Sequence, residues 1–377
     1  MLKILAGLLI AAGLAVSVFF FIKLSTEYTV FGDNAILLDK TSNVGDFIGG
    51  VVGTMFSFAG FWILILTLND QNKSTQKERF ESKFFDLLKL HRENVQEMAS
   101  DGTSGRKELH DIFMQVLKCK EEIGIHFLRR KVEQIYTEDY LSEIKKAIEN
   151  FNPELNLKDL AKINLAYLIT FYGLGAAGRQ IIHDLLENRY QLRFSDRTIN
   201  YMSMKPRLDS DYYSNWCEFM NISRKGQRKR AFELVRKIRN NEKLDDYKDQ
   251  HLVSFAKKHS YPSNYIKFYG GHQYKLGHYF RHLYQAFSFI DRQKFLSPEE
   301  KYFYAKTLRA QLSTHEQALL FVNSLSMLGL VWEIKSGKGR GQGLISKYNL
   351  IKNLPGQEIF GIIYKEFYPD VQYEHAQ

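Results

Sequence analysis

The sequence predicts a mainly α-helical protein: an N-terminal two-helix transmembrane hairpin, then a cytoplasmic helical domain with minor β structure near the C-terminus. Three observations lead there. Two long runs at the front carry no charge, only 6 prolines occur in 377 residues, and most of the remainder spaces apolar side chains three and four residues apart. Sparse proline favours long uninterrupted helices over a loop-rich β architecture. The apolar fraction of 45% and charged fraction of 25% are ordinary for a folded chain, and the length suits one large domain or two.

The first run, Ile4 to Ile22, has 19 uncharged residues. As a helix it would rise about 28 Å, enough to cross a hydrocarbon core. It ends in bulky "VFFFIK", which lacks the small-residue cleavage site of a signal peptide. The second run, Phe47 to Leu68, is also free of charge, and Gly49-x-x-x-Gly53 with Ala59-Gly60 sets small residues where two helices could approach closely. Between the runs, Lys23 and Lys40 stand against Glu27, Asp33, Asp39 and Asp46, whereas Lys73, Lys77, Arg79, Lys83, Lys89 and Arg92 follow the second. The positive-inside rule then faces the connector outward and puts everything past about residue 69 in the cytoplasm. The expected division is a hairpin over 1–70, with spans near 4–22 and 47–68, and a cytoplasmic helical domain over 71–377.

In that body, Phe80, Phe84, Leu87, Leu88, His91 and Val95 form a stripe at helical spacing, and "DGTSG" at Asp101 to Gly105 breaks the pattern. Helices are expected over about 107–134, from Thr137 to Glu149, through "LKDLAKINLAYLITFYGLG" to a stop at Gly173 or Gly175, and near 176–189. Ser297-Pro298-Glu299-Glu300 and Ser313-Thr314-His315-Glu316 are helix starts, the second a capping box. The loop "SGKGRGQG" at 336–343 does not fit a phosphate-binding P-loop, and the tail from Ile359 to Tyr368 reads as helix or strand.

The net charge of +10 suits an anionic neighbour, phospholipid or nucleic acid. It concentrates in a possible subdivision near 190–260, where Arg224, Lys225, Arg228, Lys229 and Arg230 form a candidate anion surface. The only cysteines, Cys119 and Cys217, stand alone, so neither a disulfide framework nor a cysteine zinc site is expected. A second candidate lies in "GGHQYKLGHYFRHLYQAFSFID". On a helix, Leu276, Phe280, Leu283, Phe287 and Ile290 form one apolar stripe, and His278, Arg281, His282 and Gln285 gather on the opposite, polar face. His278 and His282 at i, i+4, with His272, have metal-like spacing. The glutamate of H-E-x-x-H is missing and Arg281 adds a fixed positive charge, so no metal is expected. Arg309 and His315 have the R-x(4–6)-H spacing of HEPN-type ribonucleases, which need a charge stabiliser and a proton shuttle at the scissile phosphate. The capping box puts a turn between the two.

Several separated stretches carry a resemblance: the two-span front with "ERFESKFFDLLKLHRENV", then "AYLITFYGLG", "LGHYFRHLYQAFSFID", "YAKTLRAQLSTHEQALLFVNSLS" and "LISKYNLIKNLP". In these the chain resembles the phage abortive infection proteins similar to AbiC; about 190–260 matches nothing in the pattern. The resemblance implies a bacterial membrane-associated protein that limits phage propagation by harming or arresting the infected cell, and it brings no catalytic residues. The expectation is a membrane-anchored anti-phage sensor or effector without identifiable catalysis and with no cofactor. Its expected partners are the lipid bilayer, a phage-derived protein or nucleic-acid trigger, and further copies of the chain. The alternative is a membrane-tethered HEPN-like ribonuclease using Arg309 and His315.

Overall fold

The computed structural model describes residues 2–27, 42, 45–99, 102–222, 225–239, 241–244, 248–262, 264–337, 340–356, 358 and 361–374. It divides into two compact units, Met1–Asp86 and Leu87–Gln377. Among the described residues there is no strand. Only the isolated bridges Tyr136–Tyr190 and Pro206–Lys267 occur, so the β structure expected near the C-terminus is absent from what is described there.

In the first unit, helix α1 (Leu2–Glu27) contains the first apolar run. The second run opens a rod, Gly45–Glu97, that is long and apolar enough to cross a membrane; the apolar part Gly7–Lys23 of α1 is shorter. The rod begins with a π-helical stretch, Ile48–Gly53, and continues as α2 (Thr54–Glu97) without a break at residue 70. Phe20 stacks on Phe47 with centroids 4.4 Å apart, and a Cβ added at Gly13 would lie 3.5 Å from the Phe56 ring. A Cβ at Gly13 would therefore make only an ordinary contact. Gly49 and Gly60 would meet nothing within 4 Å, which corrects the expected role of the Gly49-x-x-x-Gly53 pair. Ile4, Phe19, Phe58 and Phe61 are all more than half exposed. So much uncovered apolar surface around helices is unfavourable in water and suits hydrocarbon.

The second unit is a helical body. Helix α3 (Gly105–Phe127) starts where the Ser104 hydroxyl accepts the Lys107 amide at 3.3 Å. It stops at Phe127, short of the expected Gln134, because Leu128 is extended and Arg129 takes φ +58°. Helix α4 (Glu138–Glu149) begins after Thr137 as expected, yet that hydroxyl donates to the Asn188 carbonyl at 3.0 Å and leaves the helix uncapped by a side chain. Helix α5 (Leu157–Tyr172) is the central rod: Ile163, Leu165, Ala166, Tyr167, Leu168 and Ile169 are at most 1% exposed. Next come α6 (Ala176–Leu186) and α7 (Leu192–Met202), then α8 (Tyr213–Met220), α9 (Lys225–Arg239) and α10 (Gln250–Lys258) in the basic region. The last part holds α11 (Gln273–Asp291), α12 (Pro298–Arg309) and α13 (Thr314–Leu325). Two single turns close it, α14 (Leu344–Lys347) and α15 (Tyr364–Phe367), the latter within the tail left open between helix and strand. Helices α3 and α13 pack on α5 and on each other.

Tyrosines dominate the largest fully buried side chains of the core, and several of their hydroxyls find partners. Tyr279 donates to Glu316 at 3.0 Å, Tyr269 to Glu122 at 3.0 Å and Tyr368 to Ser324 at 2.6 Å. A buried phenol is tolerated on that condition.

Candidate functional site

Helix α11 begins where two backbones cross. Gly173 (φ +75°) ends α5 and Gly271 (φ +95°) precedes α11. The His272 amide donates to the Phe171 carbonyl at 2.8 Å, and the Leu174 amide to the Tyr269 carbonyl at 2.8 Å. A Cβ at Gly173 would sit 2.5 Å from the Gly270 carbonyl, and one at Gly271 would sit 2.6 Å from the Tyr172 carbonyl oxygen. Both positions require glycine, for positive φ and for the close approach.

From there the expected stripe is buried: Leu276, Leu283, Phe287 and Ile290 are 0% exposed, and Phe280 is nearly so. The polar face divides. His278 and Arg281 are exposed and line a cleft of about 810 Å³, together with Gln273, Tyr274, Tyr284, Asn323 and Trp332. Trp332 donates its indole N–H to Asn323 Oδ1 at 3.2 Å, and the Tyr284 ring meets Trp332 edge-on at 5.0 Å. The Asn323 amide also donates to the Tyr167 hydroxyl at 2.9 Å, tying the cleft wall to the central rod. Gln285 is exposed but outside the cleft. His282 departs from the expected polar face. It is buried, its ring lies parallel to that of His91 at 6.4 Å, and burial followed by the charge of His91 lowers its pKa. The apolar stripe is therefore wider than five positions, and His282 stands at its edge.

Behind α11 is a polar cluster that periodicity could not reveal. Glu316, fully buried, accepts from the Tyr279 hydroxyl and from the Ser313 amide at 2.7 Å. His91 Nε2 lies 3.6 Å from one carboxylate oxygen and Arg106 Nε 3.9 Å from the other. Burial pushes the Glu316 pKa up, but its contacts with His91 and Ser313 outweigh that and hold it below its usual value. The expected capping box at Ser313 forms, and its glutamate also organises the buried cluster.

The three histidines of the segment have separate surroundings. His278 faces the cleft, His282 faces His91, and His272 Nε2 contacts Gln115 at 3.0 Å. Arg309 is buried, and its Nη1 donates to the Tyr348 and Asn349 carbonyls at 2.9 and 3.0 Å. His315 is exposed with its ring edge-on to His110 at 4.4 Å. Arg309 braces the C-terminal segment, and nothing in this arrangement favours the ribonuclease alternative. In the basic stretch, Arg228 and Lys229 line a second pocket, Arg230 is exposed outside it, Lys225 opens α9, and Arg224 lies outside the described residues.

The cleft pairs an imidazole and a guanidinium with aromatic and amide groups. Its described lining carries no carboxylate, thiol or aliphatic hydroxyl. Such a set can recognise a ligand by charge, stacking and hydrogen bonding. Residues 271–359 match the putAbiC family model, described as "Putative phage abortive infection protein". Comparison with curated proteins and with solved structures gave no match. The matched stretch opens at the Gly271 crossing and includes the whole of α11, α12 and α13. Over residues 271–359 this chain is thus similar to the phage abortive infection proteins, which supports its resemblance to the AbiC-like family.

Proposed function

We propose that this protein is a membrane-anchored agent of abortive infection that works by recognition, without catalysis of its own. Residues 1–70 form the anchor, with α1 and the apolar start of the Gly45–Glu97 rod crossing the cell membrane as a pair. Residues 71–377 form a cytoplasmic body, in which the α11 cleft receives the infection-derived signal. One observation carries the reading: the family-matched segment supplies most of the cleft, from Gly271 through His278 and Arg281 to Trp332. The uncovered apolar side chains of α1 and of the rod support the anchor.

A plaque assay tests both parts in cells expressing equal amounts of each form. His278→Ala/Arg281→Ala changes only exposed cleft residues, so it should fold as the wild type and lose protection; removal of residues 1–70 should also lose it. Gln285→Ala, exposed on the same helix but off the cleft, should protect fully. Full protection by the double variant would remove the cleft from the mechanism, and full protection by the shortened chain would remove the membrane.

A further inference from the structure

The pocket that takes in Arg228 and Lys229 is a different kind of place from the α11 cleft. Its volume is about 380 Å³, and three chain segments supply its cations: Arg129 and Arg130 after α3, Arg197 of α7, and Arg228 and Lys229 of α9. Glu233 answers one of them, Arg197, in an ion pair. The floor is apolar, since Tyr201 and Phe232 are each 2% exposed. Over such a floor charges interact more strongly than in open water.

The cations work against one another. Burial lowers the Arg197 pKa first, and Arg130, Arg193 and Arg236 lower it further. Arg130 is lowered by burial and then by Arg193. His126, which also lines the pocket, is pushed down to about 3 by burial and then by Arg197, Arg130 and Lys229. Two nitrogens there, His126 Nε2 and Arg228 Nε, are buried without a hydrogen-bond partner. Arg129 adds backbone strain, holding φ +58° without being glycine. A solvated basic helix face would spread its charges and bury none of them. Here like charges from distant parts of the sequence are brought to one concavity at a cost in stability, which an anion would offset. Guanidinium forks match the oxygens of phosphate, and several around one cavity suit more than one phosphoryl group.

We propose that this pocket binds a compact phosphate-bearing anion carrying two or more phosphoryl groups. Tyr201 and Phe232 are too covered to stack on a base, so recognition is of the phosphates and is indifferent to what they are attached to. The source is either a soluble phosphate compound or a phosphorylated lipid headgroup.

The test uses the full-length protein in neutral detergent, titrated with inorganic pyrophosphate by calorimetry at fixed ionic strength, with sulfate as the comparison anion. A second arm places it in nanodiscs of neutral lipid with or without a phosphoinositide bisphosphate. Saturable pyrophosphate binding tighter than sulfate is expected, weakened roughly tenfold or more by Arg130→Gln/Lys229→Gln, which keeps the Arg197–Glu233 pair. Arg340→Ala, whose arginine pairs with Asp370 and lies outside the pocket, should bind as the wild type. The double variant should melt no lower than the wild type, because it removes repulsion; if it does not fold, the exposed Arg129→Gln alone should still weaken binding. Binding confined to the phosphoinositide arm and lost in the same variant assigns the lipid as source. Pyrophosphate and sulfate binding alike, or binding that the pocket variants leave unchanged in both arms, overturns the proposal.

Discussion

The least replaceable side chains lie in the core. Lys205 is 0% exposed, with its ammonium 2.8 Å from one oxygen of Glu122 and 3.6 Å from the Phe268 ring centroid. Tyr269 donates to the other oxygen of Glu122. Burial lowers the Lys205 pKa and outweighs the Glu122 carboxylate, which raises it, so the buried ammonium depends on that partner. Burial, then the charge of Glu122, raises the thiol pKa of the neighbouring Cys119 well above normal, which keeps it protonated and unreactive. Glu122→Ala, leaving a buried ammonium and phenol unanswered, should destabilise the protein by about 3–5 kcal/mol, whereas Glu122→Leu/Lys205→Met should cost clearly less. Urea denaturation of both variants checks this; equal losses would mean that the pair contributes shape and not charge. The partners lie 83 residues apart, with no local pattern to join them. The same holds for Glu316 with Tyr279 and His91: the sequence marks the glutamate as a cap, and only the fold shows its other contacts.

Elements were legible where local rules govern them. The α11 stripe follows from 3.6-residue periodicity, the helix starts at Ser297 and Ser313 from capping chemistry, and the end of α5, at the first of two expected glycines, from Gly173. What failed lay outside helical periodicity: α3 ends early at Phe127, before the positive φ of Arg129, Thr137 gives its hydroxyl to Asn188, and His282 turns to His91. The basic pocket was half legible. Arg228 and Lys229 stand in a visible charge run, while Arg129, Arg130 and Arg197 are brought in by the packing of α3 and α7. The crossing of the α5 end with the α11 start is the joint on which the cleft depends. Gly271→Ala, with its Cβ 2.6 Å from a carbonyl oxygen and a positive φ, should cost on the order of 3 kcal/mol and loosen α11. Hydrogen exchange would report it as early opening of Tyr274 to Phe280 amides; unchanged exchange there would mean that the backbone yields locally.

At the scale of the whole molecule, sequence and structure agree on the contrast between the two ends. The apolar front exposes Ile4, Phe19, Phe58 and Phe61, while the body buries many of its aromatics and gives Tyr269, Tyr279 and Tyr368 hydrogen-bond partners. Water disfavours the first arrangement and tolerates the second, and this contrast is what supports our proposal of a lipid-embedded front. Alkaline carbonate washing of membranes from cells expressing the full-length chain tests this most directly. An integral anchor keeps the chain in the pellet after the wash and releases it only with detergent. Recovery of the folded chain in the carbonate supernatant would contradict the account.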